Sequence, residues 1–537
     1  MVNRTEQLSL ALPLIVIATF LIVAAWLRGS EYDEQYTMFL IAGVARPIWP
    51  EGLFPAGLAT TLQSGRASLL GIASDLRVTD VHPPLYFWAA ALWRQLLGDG
   101  LFTLRLLSVA CTVMSLVLVG RIARAAAAPP LLAVVLTAGC YGFAYTGIIA
   151  RGFALAQMLS LAGALAVVGC RGPGRALMAG LLFGAGAFSN YLAVFPAAGV
   201  LAGWVWEVLR NHRSCHGRPK SALPAVARDG LPIDPFPAGT AQRDPARSGR
   251  PALALPFVAM CGVAPFLLAA LWFFVAQRES RIGQFPPFDV VASLARLGQY
   301  GAAAVFGGLP LYLHGVPRIF VYSVVGLTTI GCVVLLLWRH RAPAFRPALV
   351  LGCCATPAGL LVLGLAFDNT PIELRYLAFM TPYISLLLAG AISDLPCPAR
   401  TVAAATVISI QVVATAAMPV RQETMQPARA TAAAAGVLAA DGAVLLPRGN
   451  DGVGIVGAFA TEARADLPIL VISTGERQHH MAERLAGLSR VVVAMLTQDQ
   501  DSRTVVPATV AALMGSGWQR VAEGYNVIAF ERHPKRE

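Results

Sequence analysis

The chain has 537 residues, 56% hydrophobic and only 13% charged, with a formal net charge of +12. Soluble domains carry roughly 25% charged residues, so the composition excludes an ordinary water-soluble enzyme and specifies a polytopic α-helical membrane protein. The positive charge is almost all arginine (Lys220 and Lys535 are the only lysines) and gathers in short loops, where it marks topology and anionic headgroups rather than nucleic acid.

Apolar runs long enough to cross a bilayer recur from end to end. They predict spans at 8–27, 83–97, 102–121, 130–147, 152–170, 174–188, 190–209, 253–275, 317–338, 347–366, 374–392 and 400–418, about 12–13 transmembrane helices within residues 1–418. Leu8–Leu27 is too long for a signal-peptide core and reads as a retained first span. Residues 28–82 contain amphipathic pieces, with Tyr36, Phe39, Leu40 and Val44 at helical spacing, which suit helices lying along the membrane surface. Residues 210–252 are rich in Arg, Pro, Gly and Ala and read as a flexible cytoplasmic loop, as does the basic stretch Arg339–Arg346. That choice puts residues 276–316, the loop Asp368–Glu373 and everything after Met418 on the external side. Residues 419–537 alternate strand-like runs (Ala443–Leu446, Ile469–Ile472, Val491–Ala494, Val527–Phe530) with helical stretches, which predicts a small external α/β domain. The nine cysteines lie mostly in apolar runs and read as free thiols.

Directly after the first run comes Glu31-Tyr-Asp-Glu-Gln-Tyr-Thr37. A plain reading makes Asp33 and Glu34 the acidic first turn of a helix capped by Ser30. A functional reading makes one of them a general base, as glycosyl transfer to a hydroxyl requires. The second run is entered through Asp80-Val-His-Pro-Pro-Leu-Tyr86. Its prolines suit a helix start; they leave Asp80 and His82 unexplained. Arg105, Arg151 and Arg375 have apolar flanks. Such arginines either snorkel from helix ends or hold a phosphate with their planar fork. Gly452-Val-Gly-Ile-Val-Gly457 matches the spacing of a dinucleotide fingerprint, but its first glycine stands too far from the preceding strand. Asn211-His-Arg-Ser-Cys-His216 has no zinc spacing, and His479-His480 reads as helix surface. No P-loop, nucleophile elbow or H-E-x-x-H motif is present.

Taken together, Asp33-Glu34, Asp80-Val-His-Pro-Pro-Leu-Tyr86, Gly98 followed by Arg105-Leu106, Asn190-Tyr191, and Arg375-Tyr376 followed by Pro382 resemble the GT-C superfamily of polyprenyl-phosphate-dependent glycosyltransferases. The resemblance is to the protein O-mannosyltransferase and lipid A aminoarabinose transferase kind, and covers about the first 400 residues. It implies a polyprenyl-phosphate sugar donor, a glycan, lipid or protein acceptor, and inverting transfer at the external face of a bacterial-type inner membrane. Asp33 becomes the base and Glu34 its support. His82, Arg151 and Arg375 become donor-phosphate contacts, with Asp80, Arg105, Tyr191 and Tyr376 among the substrate-binding positions. The resemblance also puts residues 28–82 outside, whereas alternation through twelve spans puts them inside. An odd number of spans satisfies both, so one run between 83 and 209 is miscounted. Relatives often carry an acidic residue around Ala150-Arg151-Gly152, and none stands here. That departure argues for a metal-independent reaction with no cofactor. The rival class is a transporter or flippase of lipid-linked saccharides, which often shows an internal repeat; none is visible here.

Overall fold

The computed structural model describes residues 4–216, 249–277, 285–307, 316–339, 347–419, 427–449, 452–473, 481–496 and 500–532. Most of the basic loop 210–252, the stretch 340–346 and His479-His480 lie outside the described residues.

The membrane part opens with α1 (Arg4–Leu27) and then the surface helices α2 (Tyr32–Ala42), α3 (Gly57–Gln63), α4 (Leu69–Thr79) and α5 (Leu85–Leu97). It continues with α6 (Leu101–Ala125), α7 (Pro130–Gly139), α8 (Tyr141–Gly147), α9 (Phe153–Val167), α10 (Pro173–Ala187), α11 (Val194–His216), α12 (Gly249–Gln277) and α13 (Val290–Phe306). α14 (Val316–Arg339), α15 (Pro347–Phe367), α16 (Thr381–Ser393) and α17 (Cys397–Ala417) complete it. Among the described residues, 8 helices are long and apolar enough to cross a bilayer, or up to 9 if the bent pair α7–α8, with its 72° break, is one span.

The run 83–97, expected to be a span, is not one. α5 has 13 residues, about 20 Å of helix against roughly 30 Å of hydrocarbon. Its ends explain the rest. The Leu85 N–H donates to the Phe188 carbonyl at the end of α10 (3.2 Å). Near its other end Arg94 donates to the Gln63 carbonyl (2.6 Å), and Trp93 Nε1 donates to the Thr103 carbonyl (2.8 Å). Phe102, beside Thr103, packs edge-on against Trp26, where α1 ends. The far end of α5 therefore sits at the level where α1 emerges, and α5 is not among the helices long enough to cross a bilayer.

The C-terminal part comprises α18 (Ala428–Ala439), β2 (Ala443–Pro447), α19 (Gly454–Glu462), β3 (Pro468–Ile472), α20 (Met481–Arg484), β4 (Arg490–Ala494), α21 (Gln500–Gly515), β5 (Trp518–Gly524) and β6 (Val527–Arg532). Strands β2, β3 and β4 pair in parallel, and β6 and β5 add antiparallel to one side. The sixth strand comes from far away: β1 (Phe54–Pro55), in the first loop, pairs antiparallel with β3 so that Phe54 faces Ile469. Alternate side chains of a strand point to opposite faces. Val444, Leu446, Ile469 and Val471 accordingly share one apolar core, and Leu445, Leu470 and Ile472 another. The first of these cores also takes in Phe39, Trp49 and Phe54 of the first loop.

This docking accounts for the glycine pattern at Gly452–Gly457. A Cβ on Gly454 would fall inside the Tyr32 ring contact, and one on Gly457 would lie 2.7 Å from Gln35 Oε1 and from the Phe39 ring. The glycines let α19 press against α2. Gly457→Val is therefore expected to lower the melting temperature, since overpacking costs about 1–3 kcal/mol. Gly436→Ala, on the open face of α18 where nothing lies within 4 Å, leaves it unchanged or raised in the same thermal scan.

Candidate active site

Asp33 and Glu34 are neighbours on α2, turned about 100° apart by the helix, and they go to different places. Glu31 is the N-cap, not Ser30, and forms a capping box with Glu34. Glu34 points inward and is fully buried. It receives Arg105 Nε at Oε1 (2.8 Å) and Arg105 Nη2 at Oε2 (2.5 Å). The Ala150 N–H (2.8 Å) and the Glu31 N–H (3.0 Å) complete its set. Arg105 spends its remaining donors on the carbonyls of Ala25, Arg28 and Gly29. The two residues expected to support the base and to contact substrate thus saturate each other.

Asp33 points the other way. Its Oδ2 pairs with Arg375 Nη1, and Arg375 Nε pairs with Glu373 (2.6 Å). Both Asp33 and Arg375 keep some solvent access, 13% and 19% of the side chain.

A second charged group forms from Asp80, His82 and Arg151. His82 Nδ1 lies 3.0 Å from Asp80 Oδ1, Arg151 Nη1 lies 3.4 Å from Asp80 Oδ2, and Arg151 Nη2 lies 3.2 Å from His82 Nδ1. Burial alone would raise the Asp80 carboxyl. The charges of His82 and Arg151 and the Val81 N–H outweigh it, holding Asp80 far below the usual carboxylate range. The Arg151 guanidinium also stands over the Tyr36 ring at 5.6 Å. Tyr36 is on α2, three residues past Asp33 and on the same helical face, so the two charged groups approach one another across α2.

Between α10, α11, α12 and α15 lies a cavity of about 730 Å³. Its walls are apolar (Phe195, Leu267, Leu271, Leu360 and Phe367 among them), while His82, Asn190, Tyr191, Gln277 and Tyr376 lie together among its polar lining. Such a shape fits an amphipathic ligand. Tyr191 Oη donates to Gln277 Oε1 (2.8 Å), and Gln277 Nε2 donates to the carbonyls of Leu76 (2.7 Å) and His82 (3.1 Å). Gln277 thereby fixes the His82 backbone from the end of α12. Asn190 is 2% exposed. Its Oδ1 accepts the Leu192 N–H (3.1 Å), while its buried Nδ2 has no partner in the protein. A buried donor without a partner costs about 1–3 kcal/mol, so this one is suited to a ligand oxygen.

The structure thus brings Asp33, Arg375 and Tyr376 together, and Asp80, His82 and Arg151 together, with Tyr191 joined to the His82 backbone through Gln277. It takes Glu34 and Arg105 away. Gln277 was missed in the sequence, although a glutamine closing an apolar helix was a usable signal. Among the described residues no three of His, Cys, Asp and Glu converge closely enough to hold a metal ion.

The bundle, its carboxylate-bearing surface helices and the docked α/β domain have the fold of the GT-C superfamily of membrane glycosyltransferases. Residues 81–226 match the family model described as dolichyl-phosphate-mannose-protein mannosyltransferase. The crystal structure of ArnT from Cupriavidus metallidurans bound to undecaprenyl phosphate is similar over 98% of this chain and 99% of that one, at 11% identity and a TM-score of 0.51. The apo form of the same ArnT gives 11% identity and a TM-score of 0.50, over 99% of this chain and 100% of that one. No curated protein sequence matches the chain. The family match over residues 81–226 and the fold shared over nearly the whole chain both support a membrane glycosyltransferase of the GT-C type.

Asp80→Asn removes the anion between His82 and Arg151 and is expected to destabilise the protein. The sign follows from the depressed folded value. The stabilisation is complete above the ordinary carboxylate range, about pH 4, and is lost as pH falls through the lower folded value. The gap in melting temperature between wild type and variant should be full at about pH 5 and narrow as the pH drops below about 4.

Proposed function

We propose that the protein transfers one sugar from a polyprenyl-phosphate carrier to a hydroxyl of an envelope glycan, lipid or protein at the external membrane face. The observation that carries this reading is the meeting of two carboxylate–arginine groups beside an apolar-walled cavity with polar residues in its lining. The undecaprenyl phosphate bound by the C. metallidurans ArnT supports a lipid-phosphate ligand for that cavity.

Orientation follows from the position of α5. Without it the crossings number eleven, counting α7–α8 as one and including α9 and α10. With the N-terminus inside, the basic residues Arg121 and Arg124 then fall inside. The loop 28–100, Arg151, Asn190 and Arg375 fall outside, as does the α/β domain. An odd count of this kind supports the external placement of the first loop.

In the reaction, the acceptor O–H proton passes to Asp33. The acceptor oxygen forms a bond to the anomeric carbon as the bond from that carbon to the phosphate oxygen breaks. The lipid phosphate leaves as an anion and needs no general acid, only cationic groups and donors to receive the charge. Arg151, His82 and Asn190 Nδ2 are placed for that task. Arg375 pairs with Asp33 and holds it in place. A bound phosphate draws the guanidinium toward itself and frees the carboxylate to act as base. No residue group here calls for a metal in this scheme, and a chelator tests that point.

Purified protein in bilayers, given a panel of polyprenyl-phosphate sugars and a crude envelope acceptor fraction, should transfer sugar from one donor, with or without chelator. Asp33→Asn should lower turnover by about 10²–10⁴-fold while leaving donor binding nearly intact. Labelled lipid that crosses the bilayer without any transfer would instead identify a flippase, and transfer that persists in Asp33→Asn would remove Asp33 from the role of base.

A further inference from the structure

The elbow that leads from α1 to Asp33 is held from the C-terminal domain. Glu462, the last residue of α19, accepts the Ser30 backbone N–H at Oε1 (2.5 Å). At Oε2 it accepts Arg429 Nε from α18 (2.7 Å). Arg429 in turn donates through Nη1 to the Leu27 carbonyl (2.6 Å). Leu27 ends α1, and Ser30 stands just before the N-cap of α2. One ion pair therefore brackets both ends of the short turn out of the membrane.

The side chain of Ser30 is gripped as well. Its Oγ accepts Gln35 Nε2 (2.5 Å), and Gln35 Oε1 accepts Gln63 Nε2 (2.7 Å) and Thr461 Oγ1 (3.4 Å). Thr461 adjoins Glu462, so the end of α19 reaches the elbow through two separate routes. Arg429 is 44% exposed, and ion pairs so open to water add little to global stability. What this pair does fix is local: the angle at which α2 leaves the end of α1, and with it the direction of Asp33, three residues beyond Ser30.

We infer that Glu462, acting with Arg429, is a positioning residue for sugar transfer, through which the C-terminal domain sets the pose of the Asp33 carboxylate. The inference rests on the reading of Asp33 as the base. Neither residue lines the cavity; the effect runs through Ser30 and Leu27. Reacting groups must be held within a fraction of an ångström, and a misplacement of about 1 Å costs on the order of 10²-fold in rate. The parallel strands and α19 then act as a fixed bracket for the catalytic loop, whatever else the domain contacts.

The test compares kcat, donor KM and melting temperature in the full-length protein. Glu462→Ala is expected to lower kcat about tenfold or more, with donor KM and melting temperature close to wild type. Glu462→Gln keeps an oxygen for the Ser30 N–H but sets an amide N–H2 against Arg429 Nε, so it should recover only part of the rate. Arg429→Ala should slow turnover too, and the double variant Glu462→Ala/Arg429→Ala should be no slower than the worse single one, because both act through the same elbow. A wild-type kcat in Glu462→Ala, or a loss of rate that merely follows a loss of folded protein, overturns the inference. If Asp33→Asn still turns over, the reading of the base has failed. An inactive Asp33→Asn beside a fully active Glu462→Ala leaves the base standing and removes the positioning role.

Discussion

Arg105 and Glu34 form the buried joint on which the site depends. The Arg105 guanidinium uses all five of its N–H donors: two on Glu34 and three on the carbonyls at the end of the first span and the turn beyond it. Glu34 answers with acceptor positions filled by Arg105, by Glu31 and by Ala150, the residue next to Arg151. The desolvation of two charges is severe and is offset only when every lone pair and proton finds a partner, and here each does. Three separate stretches of chain, the end of α1, the start of α2 and the turn before α9, are thereby fixed at one point. Asp33 and Arg151 project from two of those stretches.

The sequence showed where the chemistry concentrates but not how it divides. Asp33 and Glu34 are adjacent and chemically alike, and only the helix rotation and the location of Arg105 and Arg375 separate a solvent-reaching carboxylate from a structural one. Arg105 was legible as an intramembrane cation in need of a partner; the partner itself depends on the packing of α6 against α1 and α2. Asp80, His82 and Arg151 are a different case. Asp80 and His82 are two residues apart and were visible as a pair, whereas Arg151 reaches them only because the turn between α8 and α9 packs beside them. The apolar run 83–97 looked like a span because a surface helix that buries one face against protein and lays the other on lipid has the composition of a crossing. Its length of 13 residues was the better guide.

The strands of the C-terminal region were clear as short apolar runs between helical stretches, and four of them stand where the pattern put them. The edges were less clear. β5 has mostly exposed side chains along its length, which removes the apolar signal, and β1 has two residues, too short to show any period. The spacing Gly452–Gly457 invited a cofactor reading because glycine is chosen wherever a backbone must come close to something. Here that something is another helix of the same chain, with Tyr32, Gln35 and Phe39 filling the space a ligand would otherwise take.

The pairing of Phe54 with Ile469 also orders events during biogenesis. The first loop leaves the ribosome early and waits through the insertion of every later helix before its sheet partner exists. Until residues 443–472 have been made, Trp49 and Phe54 lack the neighbours that bury them, and the turn at Leu27–Ser30 lacks its clasp. A segment translated late thus completes one translated early. A chain cut short before residue 443 would leave the first loop without its sheet partner.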